Sequence, residues 1–306
     1  MGQVEPPADK RPSVAEILAH KSYPDTIWRL TPTQRGKLPV GKGRGGPFNI
    51  DWEVHGSGET KVVWIMGLGS NKSTWQRQTL YFGHERGDTY SSLVFDNRGM
   101  GASDTPLLRY STSEMAKDCI ELLDHLGWTE DRQLNITGVS MGGDDCTRTG
   151  IDDTKSNCHS QLAFHVRILP ICPPSRHPWL NLHQDILFPT HASPQTTSAF
   201  AAAELKKRLD PDSFKTVGFL LQAIAAGWHH KSPAQLKELG DKVGRERIAV
   251  MHGTKDQLIS VPHGEKLIAF LHPGKPEIRE GDGHAIPIQE EDWFHEKMLA
   301  FFEEFN

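Results

Sequence analysis

The sequence predicts an α/β architecture, a mostly parallel central sheet flanked by helices. Three observations carry this. Short apolar runs alternate with longer segments of helical character along much of the chain. Some runs, such as Lys61-Val62-Val63-Trp64-Ile65-Met66, are apolar on both faces, as interior strands of a parallel sheet are. One run, Leu134 to Thr137, passes directly into Gly138-Val139-Ser140-Met141-Gly142, a G-x-S-x-G pentapeptide. That pattern makes a sharp strand-to-helix turn. It lifts Ser140 into a strained, exposed position, with glycines where a side chain would collide with its neighbours. The N–H of Met141 then points toward any negative charge that develops beside the serine.

Taken in order, residues 1–46 are polar and rich in Pro and Gly, and read as a flexible extension. A short helix is expected from Ser13, a good N-cap, to about His20. The core is expected to start near Phe48, where Ile50, Trp52 and Val54 alternate with polar residues as in a half-buried strand. The Lys61–Met66 strand runs into Met66-Gly67-Leu68-Gly69-Ser70-Asn71. A Gly-rich loop after a buried strand could cradle phosphate, but the Walker context is absent. It reads better as an oxyanion loop, with the Leu68 N–H as second donor. The strand Ser92–Phe95 precedes Asp96-Asn97-Arg98-Gly99-Met100-Gly101-Ala102-Ser103, where Asp96 and Arg98 brace a turn. Ser111 to Leu126 forms an amphipathic helix, with Ser113 a candidate cap.

Composition excludes several classes. A formal net charge of −5 with 24% charged residues implies no nucleic-acid partner. No apolar run approaches the ~20 residues of a membrane span. The four cysteines, Cys119, Cys146, Cys158 and Cys172, show no C-x-x-C spacing and read as reduced thiols of a cytoplasmic protein. The 16 histidines show no metal-binding spacing, so neither metal nor cofactor is expected.

The strand followed by M-G-L-G-S-N, the segment D-N-R-G-M-G-A-S and the strand followed by G-V-S-M-G-G together resemble the α/β-hydrolase fold family, of the esterase/lipase-like kind. The resemblance implies an acid after a late strand and a histidine after the last one. Asp256 follows the strand Arg247–Met251, and His284 follows the short strand Pro276–Arg279. The implied site is therefore Ser140, Asp256 and His284, with Leu68 and Met141 as oxyanion donors. Asp282 is a nearer carboxylate, but it shares the histidine's own loop. The implied activity is hydrolysis of an ester or related acyl bond of a small molecule. Carbon–carbon bond hydrolysis by the same fold is the alternative. A closing helix is expected to pack Trp293, Phe294, Met298, Phe301 and Phe302 inward.

The core thus comprises 47–143 and 245–306. Residues 200–244 read as a helical cap of three helices, the third capped by Ser232 with Pro233 in its first turn. Trp228, His229 and His230 read as cap packing, with lining of the site as the alternative. Residues 144–199 do not fit. No apolar periodicity follows Asp144-Asp145, and 168–198 hold Pro170, Pro173, Pro174, Pro178, Pro189 and Pro194. The family's helix and strand after the serine are missing from this pattern, so the segment reads as irregular. A shifted reading frame over 144 to about 167 accounts for its first part: codons for Asp144 to Thr149, read from the second base, can spell Met-Ile-Ala-Gln-Glu-Leu. A second shift or an unspliced intron between about 168 and 198 is then also required. A divergent insertion is the alternative. Either way, a catalytically impaired copy is a third functional reading.

Overall fold

A central eight-stranded sheet organises the molecule, and the run predicted from Lys61 lies at its middle. The computed structural model describes residues 13–130, 133–143, 161–164 and 194–305. The strands are β1 (Gln34–Val40), β2 (Phe48–His55), β3 (Thr60–Ile65), β4 (Tyr90–Phe95), β5 (Leu134–Gly138), β6 (Gln161–Phe164), β7 (Ile248–Gly253) and β8 (Lys275–Arg279). Their spatial order is β1-β2-β4-β3-β5-β6-β7-β8. β1 and β2 pair antiparallel, as do β2 and β4, and every other neighbouring pair is parallel.

The period-2 geometry of a strand explains the two apolar layers. Val63 and Ile65 of β3 face one cluster with Leu93, Ile136 and the helices Thr112–Leu126, Pro233–Val243 and Val261–Leu271. Val62 and Trp64 face the other, with Phe82, Phe294, Met298 and Phe302. The closing helix Glu291–Glu304 supplies the last three, and Trp293 lies partly buried at its margin. Because β3, β5, β6, β7 and β8 run parallel, their carboxyl ends lie on one edge, where sites of open α/β sheets form.

Four expectations change. The first 46 residues are not all extension. The expected short helix forms over Val14–Ala19, with Ser13 in a capping box with Glu16. β1 then joins the sheet before the expected start of the core. Its sequence, Gln34-Arg35-Gly36-Lys37-Leu38-Pro39-Val40, lacks the usual apolar alternation. An edge strand tolerates Pro39, and Gly36 leaves room for the Trp52 ring beneath it. Ser111 rather than Ser113 caps the helix Thr112–Leu126, accepting from the Glu114 N–H. The third helix of the expected cap, Pro233–Val243, has the predicted Ser232 cap and first-turn Pro233. It buries Leu236, Leu239 and Val243 against the sheet, so it belongs to the core layer.

The fourth change concerns 144–199. Gln161–Phe164 pairs in parallel with both β5 and β7, filling the place where a central strand was expected to be lost. A helix also starts at Pro194, inside the stretch read as loop, and runs to Leu209. Four residues are too few for a period-2 pattern to stand out. The remaining positions of that segment, 144–160 and 165–193, lie outside the described residues, and so does what the frame reading says of them. The same holds for Cys146, Cys158 and Cys172, while Cys119 is a buried thiol of the core.

Candidate active site

Ser140 follows β5 by two residues and has φ +56°, in the left-handed region that costs a non-glycine residue on the order of 1–3 kcal/mol. The turn is held by Gly142 N–H donating to Val139 O at 2.9 Å and Gly143 N–H donating to Ser140 O at 2.9 Å. A β-carbon at Gly142 would collide with the carbonyl oxygen of Ile65 on β3, so only glycine lets the helix start this close to the sheet. Residues 141–143 are helical, and Met141 therefore carries one of the N–H groups that a helix cannot satisfy internally. Ser140 itself is partly exposed.

Asp256 and His284 meet across the ends of β7 and β8. Asp256 Oδ2 lies 2.9 Å from His284 Nδ1, and both residues are buried. The other carboxylate oxygen accepts the N–H groups of Leu258 at 2.9 Å and Ile259 at 2.8 Å. Charge-assisted bonds of this kind favour the ionised acid and fix its direction. The two loops are laced together by their backbones. Lys255 N–H donates to Asp282 O at 2.8 Å, Thr254 N–H donates to Arg279 O at 2.9 Å, and Gly281 N–H donates to Thr254 Oγ1 at 2.9 Å. Gly283 N–H donates to the Gln289 side chain at 2.9 Å, which anchors the histidine loop to the helix behind it. Asp282 turns its carboxylate to Arg279, so it is engaged elsewhere.

The Gly-rich loop after β3 abuts the serine. A β-carbon built at Gly67 would sit 3.2 Å from Ser140 Cβ and 3.8 Å from its Oγ. Leu68 and Met141 share an apolar cluster with Tyr110, Met115, Leu221 and Ala225. Gly69, at φ +69°, donates its N–H to Gln222 Oε1 at 3.1 Å. Next along the loop, Lys72 N–H donates to Asp96 Oδ1 at 2.7 Å, and Ala102 N–H donates to Asp96 Oδ2 at 2.9 Å. Asp96 thus braces two turns, as expected. Complete burial pushes its carboxyl pKa up, against the opposing pull of Lys72. Arg98 is engaged by Asp118 through two bonds of 2.6 Å and is buried.

Asp256 is therefore hydrogen-bonded to His284, and Ser140 lies against Gly67, all on the carboxyl edge of the sheet. Sequence reasoning missed the residues that hold these groups. His252 places Nε2 3.8 Å from Asp256 Oδ2 and 3.0 Å from Ile259 O. Gln222 and Ser213 reach the Gly-rich loop from the cap. Gln222 had a signal: it is the one amide-bearing side chain in the otherwise apolar helix Thr216–Gly227, and buried polar groups require partners. Of the cap residues singled out earlier, His229 packs as expected, with Nδ1 2.7 Å from Thr112 Oγ1, while Trp228 is 74% exposed.

The sheet order and the strained serine turn define the class. The family model described as "Alpha/beta hydrolase family" matches residues 54–297. This chain belongs to the alpha/beta hydrolase family and is a hydrolase. A relative in Acinetobacter baylyi, 3-oxoadipate enol-lactonase 2, is 40% identical over 82 residues, 27% of this chain and 28% of the relative. The match thus spans under a third of that relative's length. Among solved structures, an esterase from Exiguobacterium antarcticum superposes with TM-score 0.67 at 20% identity, covering 88% of this chain and 100% of that one. A meta-cleavage product hydrolase from Pseudomonas fluorescens superposes with TM-score 0.66 at 16% identity, covering 89% and 98%. At such identities the likeness establishes the fold alone. No helix among the described residues is long and apolar enough to cross a membrane.

Proposed function

We propose that the protein is a serine hydrolase that cleaves an ester or related acyl bond of a small molecule through an acyl-enzyme. The observation that carries this reading is the buried 2.9 Å bond between Asp256 and His284 on the edge where Ser140 is held at φ +56°. Ser140 Oγ attacks the carbonyl carbon as His284 takes its proton. His284 then returns the proton to the departing oxygen, and a water molecule repeats the cycle to release the acid. Asp256 holds the imidazole tautomer and stabilises the cation that forms. The N–H groups of Leu68 and Met141 receive the oxyanion, each worth roughly 10²–10³ in rate by analogy with a measured oxyanion donor. The apolar cluster around Leu68 and Met141 suits an apolar acyl group beside the reacting carbon.

The test is covalent labelling with a fluorophosphonate probe together with turnover of short p-nitrophenyl esters. The parent is expected to label and turn over, and Ser140→Ala to lose both while keeping or gaining thermal stability, since the φ strain remains but no catalytic group is needed to fold. Undiminished labelling of Ser140→Ala overturns the nucleophile. A parent that labels but leaves every ester intact redirects the reading to carbon–carbon hydrolysis.

A further inference from the structure

The cap and the Gly-rich loop are tied to each other at several points. Gln222 is fully buried and uses both ends of its amide: Oε1 accepts the Gly69 N–H at 3.1 Å, and Nε2 donates to Arg98 O at 2.9 Å. One helical turn earlier on the same face, Gly218 meets Gly99 so closely that a β-carbon there would collide with the Gly99 carbonyl oxygen. Ser213, in the turn before this helix, accepts from the Asn71 side chain at 2.7 Å and receives the Gly101 N–H on its carbonyl at 2.9 Å. Phe219 lies over Gly69, and the Phe214 ring packs tilted against Phe219.

From these contacts we propose that Gln222 is a positioning residue for the oxyanion hole. This rests on the reading of Leu68 as an oxyanion donor. The bond to Gln222 fixes the Leu68–Gly69 peptide, which holds the Gly69 N–H. The Leu68 N–H lies in the preceding Gly67–Leu68 peptide, joined to it through the φ and ψ of Leu68. A turn of the first plane is therefore passed on to the donor one peptide away. The Gln222 carbonyl fixes the Gly69 N–H, and the Gln222 amide is itself held by the Arg98 carbonyl. The acceptor is therefore not free to follow the loop. Among the described residues the N–H of Leu68 has no acceptor of its own, so the loop's direction must come from its neighbours. An apolar side chain at 222 would leave the Gly69 N–H buried and unpaired. The loop would then turn to satisfy it, and the Leu68 N–H would leave the oxyanion. The cost appears where charge develops and not in ground-state binding, because only the tetrahedral state needs that donor aimed. Helix Thr216–Gly227 is thus a fixed wall of the catalytic machinery as well as a roof for substrate.

The experiment uses the full chain and p-nitrophenyl esters. Gln222→Met keeps the volume and removes both hydrogen bonds. It is expected to lower kcat about 10–100-fold, part of the full value of an oxyanion donor, with KM changed less than about threefold. Inhibition by an alkyl boronic acid, a tetrahedral mimic formed on the serine, should weaken by the same factor as kcat/KM. Gln222→Glu retains an acceptor for the Gly69 N–H, and its kcat is expected between the parent and Gln222→Met. It also carries the test if the methionine variant does not fold. A change in KM alone overturns the proposal, as does a loss of melting temperature with kcat intact, or a fall in kcat without the parallel fall in boronate affinity. The underlying reading fails separately: Ser140→Ala would keep its turnover. If Ser140→Ala is dead and Gln222→Met matches the parent, only the role of Gln222 is lost.

Discussion

The two halves of the candidate site are held by different layers of the molecule. The acid–histidine half is braced from within the core: Asp256 by its own loop, the β7 and β8 loops by each other, and Gly283 by Gln289. The serine–oxyanion half is braced from outside it: Gly69 by Gln222, Asn71 by Ser213 and Gly99 by the close approach of Gly218. On the proposed reading the core would supply proton transfer, and the cap would share in charge stabilisation. If so, changes in the cap, which would ordinarily be expected to alter substrate choice, should also reach the chemical step. Changes in the β7 and β8 loops should reach only the base.

The largest effect that could break this division is at Asp256. In Asp256→Asn the side-chain oxygen can still accept the Leu258 and Ile259 N–H groups, and the amide nitrogen then faces His284 Nδ1. The histidine must take the other tautomer and cannot accept the serine proton. The expected loss in kcat is of the order of 10⁴, the size tabulated for the same change in a serine protease. The melting temperature and boronate affinity should fall far less. If boronate affinity dropped as much as kcat, the acid would also be shaping the oxyanion hole, and the two halves would not be separate.

The next effect is on stability and belongs to the closing helix, Glu291–Glu304. His295 is buried, stacked on Tyr81 with ring centroids 4.3 Å apart. Burial pushes its pKa down to about 4, helped by Arg77 and Arg86 and opposed by Asp292. In the unfolded chain it protonates near its ordinary ~6.5. Between those values the unfolded state binds more protons than the folded one, so stability falls as pH falls. The stabilisation is complete above ~6.5 and is lost as pH drops toward ~4, worth about 2 kcal/mol at pH 4.5 once residual solvent access is discounted. His295→Phe removes the titration. Its melting temperature should gain a few degrees on the parent between pH 7 and pH 4.5. Parallel melting curves for the two proteins across that range would sink the assignment.

Legibility follows the same division. The fold could be read because β3 carries apolar residues on both faces and because the serine turn after β5 needs glycine where Gly142 approaches Ile65. Asp256 and His284 could be placed because the family resemblance implies an acid and a histidine after late strands, and each follows one. β1 did not, because an edge strand half open to water has no apolar rhythm to read. β6 did not, because its four residues take their strand state from pairing with β5 and β7 rather than from their own preference. The support of the Gly-rich loop was invisible for a related reason. Gln222 is separated from Gly69 by 153 positions, and no local pattern marks which buried amide meets which N–H. Helix Pro233–Val243 was placed in the cap because its apolar stripe states only that one face is buried, without naming the layer that buries it.

The smallest effect is expected at Asp282, and it sharpens the comparison because Asp282 is the carboxylate nearest to His284 in the chain. Its side chain pairs with Arg279, whose guanidinium also stacks on Trp293 at 3.6 Å and lies 3.8 Å from Glu277. Its contribution to the histidine loop runs through the backbone instead, where its carbonyl accepts the Lys255 N–H. Asp282→Asn leaves that carbonyl in place and keeps an oxygen for Arg279, which retains its other partners. Asp282 is buried while Arg279 is partly exposed, so the loss should be that of one charge-assisted bond weakened but not removed, about 1 kcal/mol in chemical denaturation. Turnover of p-nitrophenyl esters should stay close to the parent at every pH, since the group touches neither the serine nor the imidazole. A loss of kcat approaching that of Asp256→Asn would place the acid at 282 and reduce Asp256 to a turn residue. Near-parental kcat beside a collapsed Asp256→Asn would leave Asp256 as the acid of the site.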